Sequence, residues 1–108
     1  MSQEYLGEFE QMVLLSIMRL GEEAYGLAVR DELEAVAGRS PSSGALYTTL
    51  DRLERKGFLE SAAGEASEER GGRPRRYVRL TPQGQEMLAR SRNTLLALWE
   101  GLERALDA

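Results

Sequence analysis

Five arginines, Arg70, Arg73, Arg75, Arg76 and Arg79, fall within ten residues with no carboxylate among them. A guanidinium is permanently charged and presents a planar fork of donors that matches phosphate oxygens, so this spacing suits a grip on a nucleic-acid backbone. Upstream, Ser42, Ser43 and Gly44 place small residues at the start of a helical pattern. Such a start lets free backbone N–H groups approach phosphate closely. One and two turns further on, Thr48 and Arg52 offer a hydroxyl and a guanidinium to base edges, with Arg55 beyond them and Tyr47 on the flank, where a phenol suits a phosphate. Asp51 on the same side repels phosphate unless it accepts from a cytosine amino group or orients an arginine. Taken alone, Arg52, Arg55 and Lys56 also read as solvated helix residues paired with acids a turn away. Gly71 and Gly72 are not followed by Gly-Lys-Ser/Thr, so they do not read as a nucleotide cradle.

Composition removes most alternatives. The chain has 108 residues, no His and no Cys, which excludes a multidomain enzyme, a disulfide framework and the commonest general base and metal ligands. No cofactor is expected. The formal charge is −4, but residues 42–80 hold eight basic against six acidic residues, leaving −6 elsewhere. An acidic chain can therefore present one basic surface. The first residues, Met1, Ser2, Gln3 and Glu4, lack the basic segment of a secretory signal. The longest uncharged apolar run, residues 11–18, is far short of the roughly 20 residues that span a bilayer. The expectation is a soluble cytoplasmic protein without a membrane role.

Periodicity supplies the elements that must position these groups. Leu6, Phe9, Val13, Ile17 and Leu20 predict a helix over residues 4–20 stopped at Gly21, and its middle is apolar nearly all round. Val29, Leu33 and Val36 predict a second helix over 24–37, ended by Gly38. A third starts near Ser42, turns Leu46, Leu50 and Leu53 inward and stops at Gly57. Residues 58–63 and 75–81 read as short strands, the second with Val78 and Leu80 on one face and Arg75, Tyr77 and Arg79 on the other. The glycine-rich, charged loop between them projects into solvent. Thr81 and Pro82 cap and open a last helix running nearly to residue 108, about 40 Å long.

The predicted fold is mainly α with a two-stranded β-wing: a winged helix-turn-helix over residues 1–81 and a long C-terminal dimerisation helix over 82–108. In that arrangement the third helix enters the major groove of double-stranded DNA and the hairpin touches the adjacent backbone. Leu88, Leu95 and Leu102 recur at sevens, with Leu98, Trp99 and Leu106 on the same side, which predicts a coiled-coil-like seam. Leu14, Leu15 and Met18 of the first helix complete the expected dimer surface. A two-fold dimer sets its recognition helices about 34 Å apart and calls for a pseudo-palindromic operator.

Three stretches carry a resemblance: Tyr25-Gly26-Leu27, the run from Gly44 to Gly57, and the run from Gly71-Gly72-Arg73-Pro74 through Arg75-Arg76-Tyr77 to Gly84. In this order they resemble the PadR family of bacterial transcriptional regulators. The sequence departs from many relatives at Thr48, where they carry proline, and at Val78, where they carry a second aromatic; both bear on the DNA sequence preferred. The resemblance implies a homodimer held by the C-terminal helix, acting as a repressor released by a small ligand. In some relatives that ligand is aromatic and lies at the dimer interface, where Trp99 and Phe9 of this chain could line a space; a tryptophan on an apolar stripe also serves plain packing. The net charge and Glu65, Glu68 and Glu69 on the wing motivate a second reading, a winged-helix interaction module without DNA binding.

Overall fold

The structure is a computed structural model that describes residues 5–66 and 74–107. Helix α1 (Glu8–Leu20) starts after Gly7, whose N–H donates to Glu10 Oε1 at 2.9 Å, and ends at Gly21, in a positive-φ conformation (59°) that favours glycine. A single 3₁₀ turn over Gly21–Glu23 leads to α2 (Gly26–Ala37). Gly38, at φ 65°, closes α2: its N–H bonds Glu34 O and that of Arg39 bonds Leu33 O, a left-handed cap. Helix α3 (Ser43–Arg55) is capped by Ser42, whose Oγ accepts from Ala45 N at 3.1 Å.

Strands β1 (Leu59–Ala66) and β2 (Pro74–Leu80) form an antiparallel pair from Leu59↔Leu80 to Ala63↔Arg76, with a register shift before Ala66↔Pro74. The sheet is tied to the helical body at Tyr25, which bridges to Tyr77, and at Val78, whose N–H donates to Ala24 O at 2.9 Å. Helix α4 (Pro82–Trp99) follows; Thr81 Oγ1 accepts from Gly84 N at 3.0 Å and donates to Gly57 O at 2.6 Å.

One core fills the space between α1, α2, α3 and the root of the sheet. Val13, Ile17, Val29, Leu33, Leu46, Leu50, Leu53 and Phe58 are all buried there, as the apolar spacings of α1, α2 and α3 demand. Four expectations are corrected. Helix α1 begins at Glu8, so Leu6 is buried from the segment before it. Val36 is 59% exposed, because α2 meets the core only through its first two turns and a half. Leu14 and Leu88 are buried in the chain's own core and are not free for a partner. Helix α4 stops at Trp99 after 18 residues, about 27 Å, because Gly101 takes φ 83° and the chain passes into turns. Leu102 and Leu106 are exposed on those turns, off the helical stripe, so the heptad seam is cut short. Among the described residues no helix is long and apolar enough to cross a membrane, and no group of three or more acidic, His or Cys side chains could hold a metal ion.

Candidate nucleic-acid interface

Helix α3 turns its leucines inward, so a rotation of about 100° per residue aims Ser43, Gly44, Tyr47, Thr48, Asp51, Arg52 and Arg55 at solvent, and all of them are exposed. Ser42 is exposed too, and its Oγ accepts the capping N–H of Ala45. A Cβ built on Gly44 would meet nothing, so internal packing does not require glycine there and the first turn of α3 stands open. Tyr47 leans across the first turn of α2, where a Cβ on Gly26 would collide with its hydroxyl. The phenol therefore sits at the N-terminal, positive end of the α2 dipole, a setting that favours an anion.

Arg52 is not a free base reader. Its Nε donates to Glu10 Oε2 at 3.1 Å, and Lys56 Nζ reaches the same oxygen at 3.1 Å. Arg52 Nη2 also lies 3.4 Å from Thr49 Oγ1. The Glu10 side chain is only 8% exposed, whereas that of Arg52 is 44% exposed, so the guanidinium is anchored at one end and open at the other. Burial pushes the Glu10 carboxyl up, but the hydrogen bonds from Gly7, Lys56 and Arg52 together outweigh it and hold the group below its ordinary value of 4.5. A lowered folded-state pKa adds stability above about pH 4.5 that is lost as the pH falls through the folded value. Urea unfolding at neutral and acid pH should show a larger loss in the native chain than in Glu10→Gln. Glu10→Ala should cost about 1–2 kcal/mol at neutral pH, since Arg52 and Lys56 can rehydrate once the carboxylate is gone.

On the wing, strand alternation places Arg76 on the face of Val78 and Leu80, against α3. Its Nη1 donates to Asp51 Oδ1 at 2.9 Å, its Nη2 to Glu54 Oε2 at 2.7 Å and its Nε to Ser61 Oγ at 3.2 Å. Ser61 in turn donates to Glu54 Oε1 at 2.6 Å. The Ser61 hydroxyl, then the Arg76 charge, keeps the Glu54 carboxyl below its ordinary value against a burial effect in the opposite sense. The expected run of unneutralised arginines is thus corrected at Arg76, and Asp51 receives a partner within the chain. Arg75 lies on the other face, its guanidinium 4.0 Å from the Tyr25 ring centre, and Tyr25 meets Tyr77 edge to face at 5.6 Å. Arg79 pairs with Glu60 across the strands at 2.5 Å. Arg70 and Arg73, with Gly71 and Gly72, lie outside the described residues.

Glu10 escaped the sequence reading, and Arg76 carries a role there, a grip on phosphate, other than the one its contacts give it. Glu10 lies on the stripe of Leu6, Val13 and Ile17, and an acid on an apolar stripe signals a buried cation partner. Arg76 shares the inward parity of Val78 and Leu80, which is legible once the strand is placed.

Comparison with known proteins agrees with this geometry. The chain matches the transcriptional regulator PadR-like family over residues 14–90. No curated protein matches it. Among solved structures it is similar to a PadR family transcriptional regulator from Eggerthella lenta, with 29% identity, a TM-score of 0.67, and 94% of this chain and 88% of the other covered. A PadR-like transcription factor from Bacteroides fragilis is 26% identical, with a TM-score of 0.71 over 90% and 88% of the two chains. A PadR-like regulator from Bacillus cereus, at 23% identity, shares the fold with a TM-score of 0.72 over 93% and 92%. With the family matched across most of its length, and with four helices and a two-stranded sheet in the same arrangement, the chain belongs to the PadR-like family of DNA-binding transcriptional regulators and is not an enzyme.

Proposed function

We propose that the chain acts as a homodimeric, sequence-specific repressor in the cytoplasm, holding a pseudo-palindromic operator until a small ligand releases it. The observation that carries the DNA contact is the shared surface of α3 and the wing. There Ser43, Gly44, Tyr47, Thr48, Arg52 and Arg55 stand exposed on α3, and Arg75 stacks on Tyr25, next to the Gly26 that Tyr47 overlies, on an acidic chain whose remaining acids lie largely elsewhere. In this reading Thr48 and the open end of Arg52 face base edges. Gly44, Tyr47 and Arg75 face phosphates, together with Arg70 and Arg73.

The dimer is supported by an unpartnered apolar surface. Leu15 and Met18 of α1 and Leu95, Leu96, Leu98 and Trp99 of α4 are all exposed, which is unusual for a monomer of this size. A groove of about 440 Å³ between the two helices is lined by Gln11, Leu15, Met18, Leu95, Leu96 and Trp99. That volume suits a flat aromatic effector. Phe9 does not line it; its ring carries the Arg39 guanidinium at 5.4 Å, on another side of α1.

Anisotropy titration against a duplex selected by the native chain from a random-sequence pool tests the function. Specific binding should weaken with salt at a slope near −0.9 per neutralised phosphate. A chain that retains no duplex at low salt would leave the interaction-module reading in its place.

A further inference from the structure

We propose that Arg76 is a positioning residue: it bolts the wing to the recognition helix and masks the two carboxylates of that helix, without itself gripping DNA. The inference rests on the DNA-binding reading above and assigns the wing arginines different tasks within it.

Three observations converge. All three donor nitrogens of Arg76 are engaged inside the chain, on Asp51, Glu54 and Ser61. The Ser61 hydroxyl closes the loop onto Glu54, so β1, β2 and α3 are joined in one hydrogen-bonded ring. The side chain is 32% exposed, against 78% for Arg79 on the opposite face of the same strand, so Arg76 lies between the elements it joins. Three of its five N–H donors are thereby spent on charge-assisted or hydroxyl partners within the chain, and the two that remain point where this ring holds them.

The ring also resolves an electrostatic difficulty. Asp51 and Glu54 stand three residues apart on the exposed side of a helix that must lie against polyanionic DNA. Unmasked, they would repel the backbone; shared by one guanidinium, they become anchors that fix the angle between wing and helix. Base readout by α3 and backbone contact by the wing need that angle held to within about 10–20°. Arg76 therefore sets how well the two surfaces meet DNA together, while the phosphate count falls to its neighbours.

Arg76→Gln, Arg76→Lys and the double variant Asp51→Asn/Glu54→Gln separate this role from a phosphate contact. The probes are the selected duplex and a scrambled duplex of equal length, each titrated across a range of salt. Arg76→Gln should leave the salt slope unchanged and reduce discrimination between the duplexes about tenfold, the scale of one misread base pair. Arg76→Lys should behave likewise, because a compact ammonium does not reproduce the planar fork that reaches Asp51, Glu54 and Ser61 together. The double variant should also lose discrimination, although it removes two negative charges from the DNA-facing side. If Arg76→Gln lowers the slope by about 0.9 and weakens both duplexes equally, Arg76 is a phosphate contact and the proposal is wrong. Intact discrimination in Asp51→Asn/Glu54→Gln, or full rescue by Arg76→Lys, would overturn it as well. Should Arg76→Gln not fold, the lysine and carboxamide variants decide on their own. A native chain that binds neither duplex sinks the DNA-binding reading itself, a distinct failure.

Discussion

Gly84→Ala is expected to destabilise the fold by about 3 kcal/mol, a large share of what holds a small domain together. The first turn of α4 rests on the backbone of Phe58. A Cβ at position 84 would fall inside the contact shell of the Phe58 carbonyl oxygen and lie 3.0 and 3.1 Å from Phe58 C and Cα. Neither side can yield cheaply. Phe58 is fully buried, its N–H donates to Leu53 O at 2.9 Å and its carbonyl accepts from Thr81 N at 3.0 Å. Thr81 is itself tied to Gly57 O and to Gly84 N. Moving α4 away would break this cap, and moving Phe58 would open the core. Gly44→Ala is the matched control: its Cβ meets nothing, so stability should change by less than about 0.5 kcal/mol. Urea denaturation of the two variants measures the contrast. Similar stabilities would mean that α4 does not seat on Phe58 in solution.

Leu95→Glu combined with Leu98→Glu is expected to lower operator affinity by about two to three orders of magnitude, although neither residue is near α3. Both leucines are exposed on α4, and Leu95 lines the groove it shares with Leu15 and Met18 of α1. Carboxylates placed there would have to be desolvated for two copies to close over this face. Without closure each winged helix binds its half-site alone and loses the effective concentration that a linked partner provides, worth about 10²–10⁴ in affinity. Binding to the selected duplex and the sedimentation coefficient should change together. A variant that stays dimeric and binds normally would place the interface elsewhere.

Much of this molecule is written in local patterns. Leu46, Leu50 and Leu53 are spaced as an inward stripe on α3, and Ser42, Gly38 and the Thr81-Pro82 pair mark helix ends by short-range chemistry. These depend only on neighbours in the chain and could be read from it. Contacts distant in sequence could not. Glu10 meets Arg52 and Lys56 across more than forty residues, and Arg76 meets Asp51 across 25. Each such pair ties down a cation that exposure alone would leave wholly free for DNA. The length of α4 was overread because an apolar stripe continues through Leu102 and Leu106, whereas Gly101 at φ 83° turns the backbone out of the helix. Leu14 and Leu88 were assigned to a partner because a stripe shows which residues are apolar and not which surface takes them.

The native chain sedimented with the selected duplex tests the central claim most directly. Two chains on each duplex is the expected result. A single chain per duplex, or a dimer that leaves the DNA behind, would contradict it.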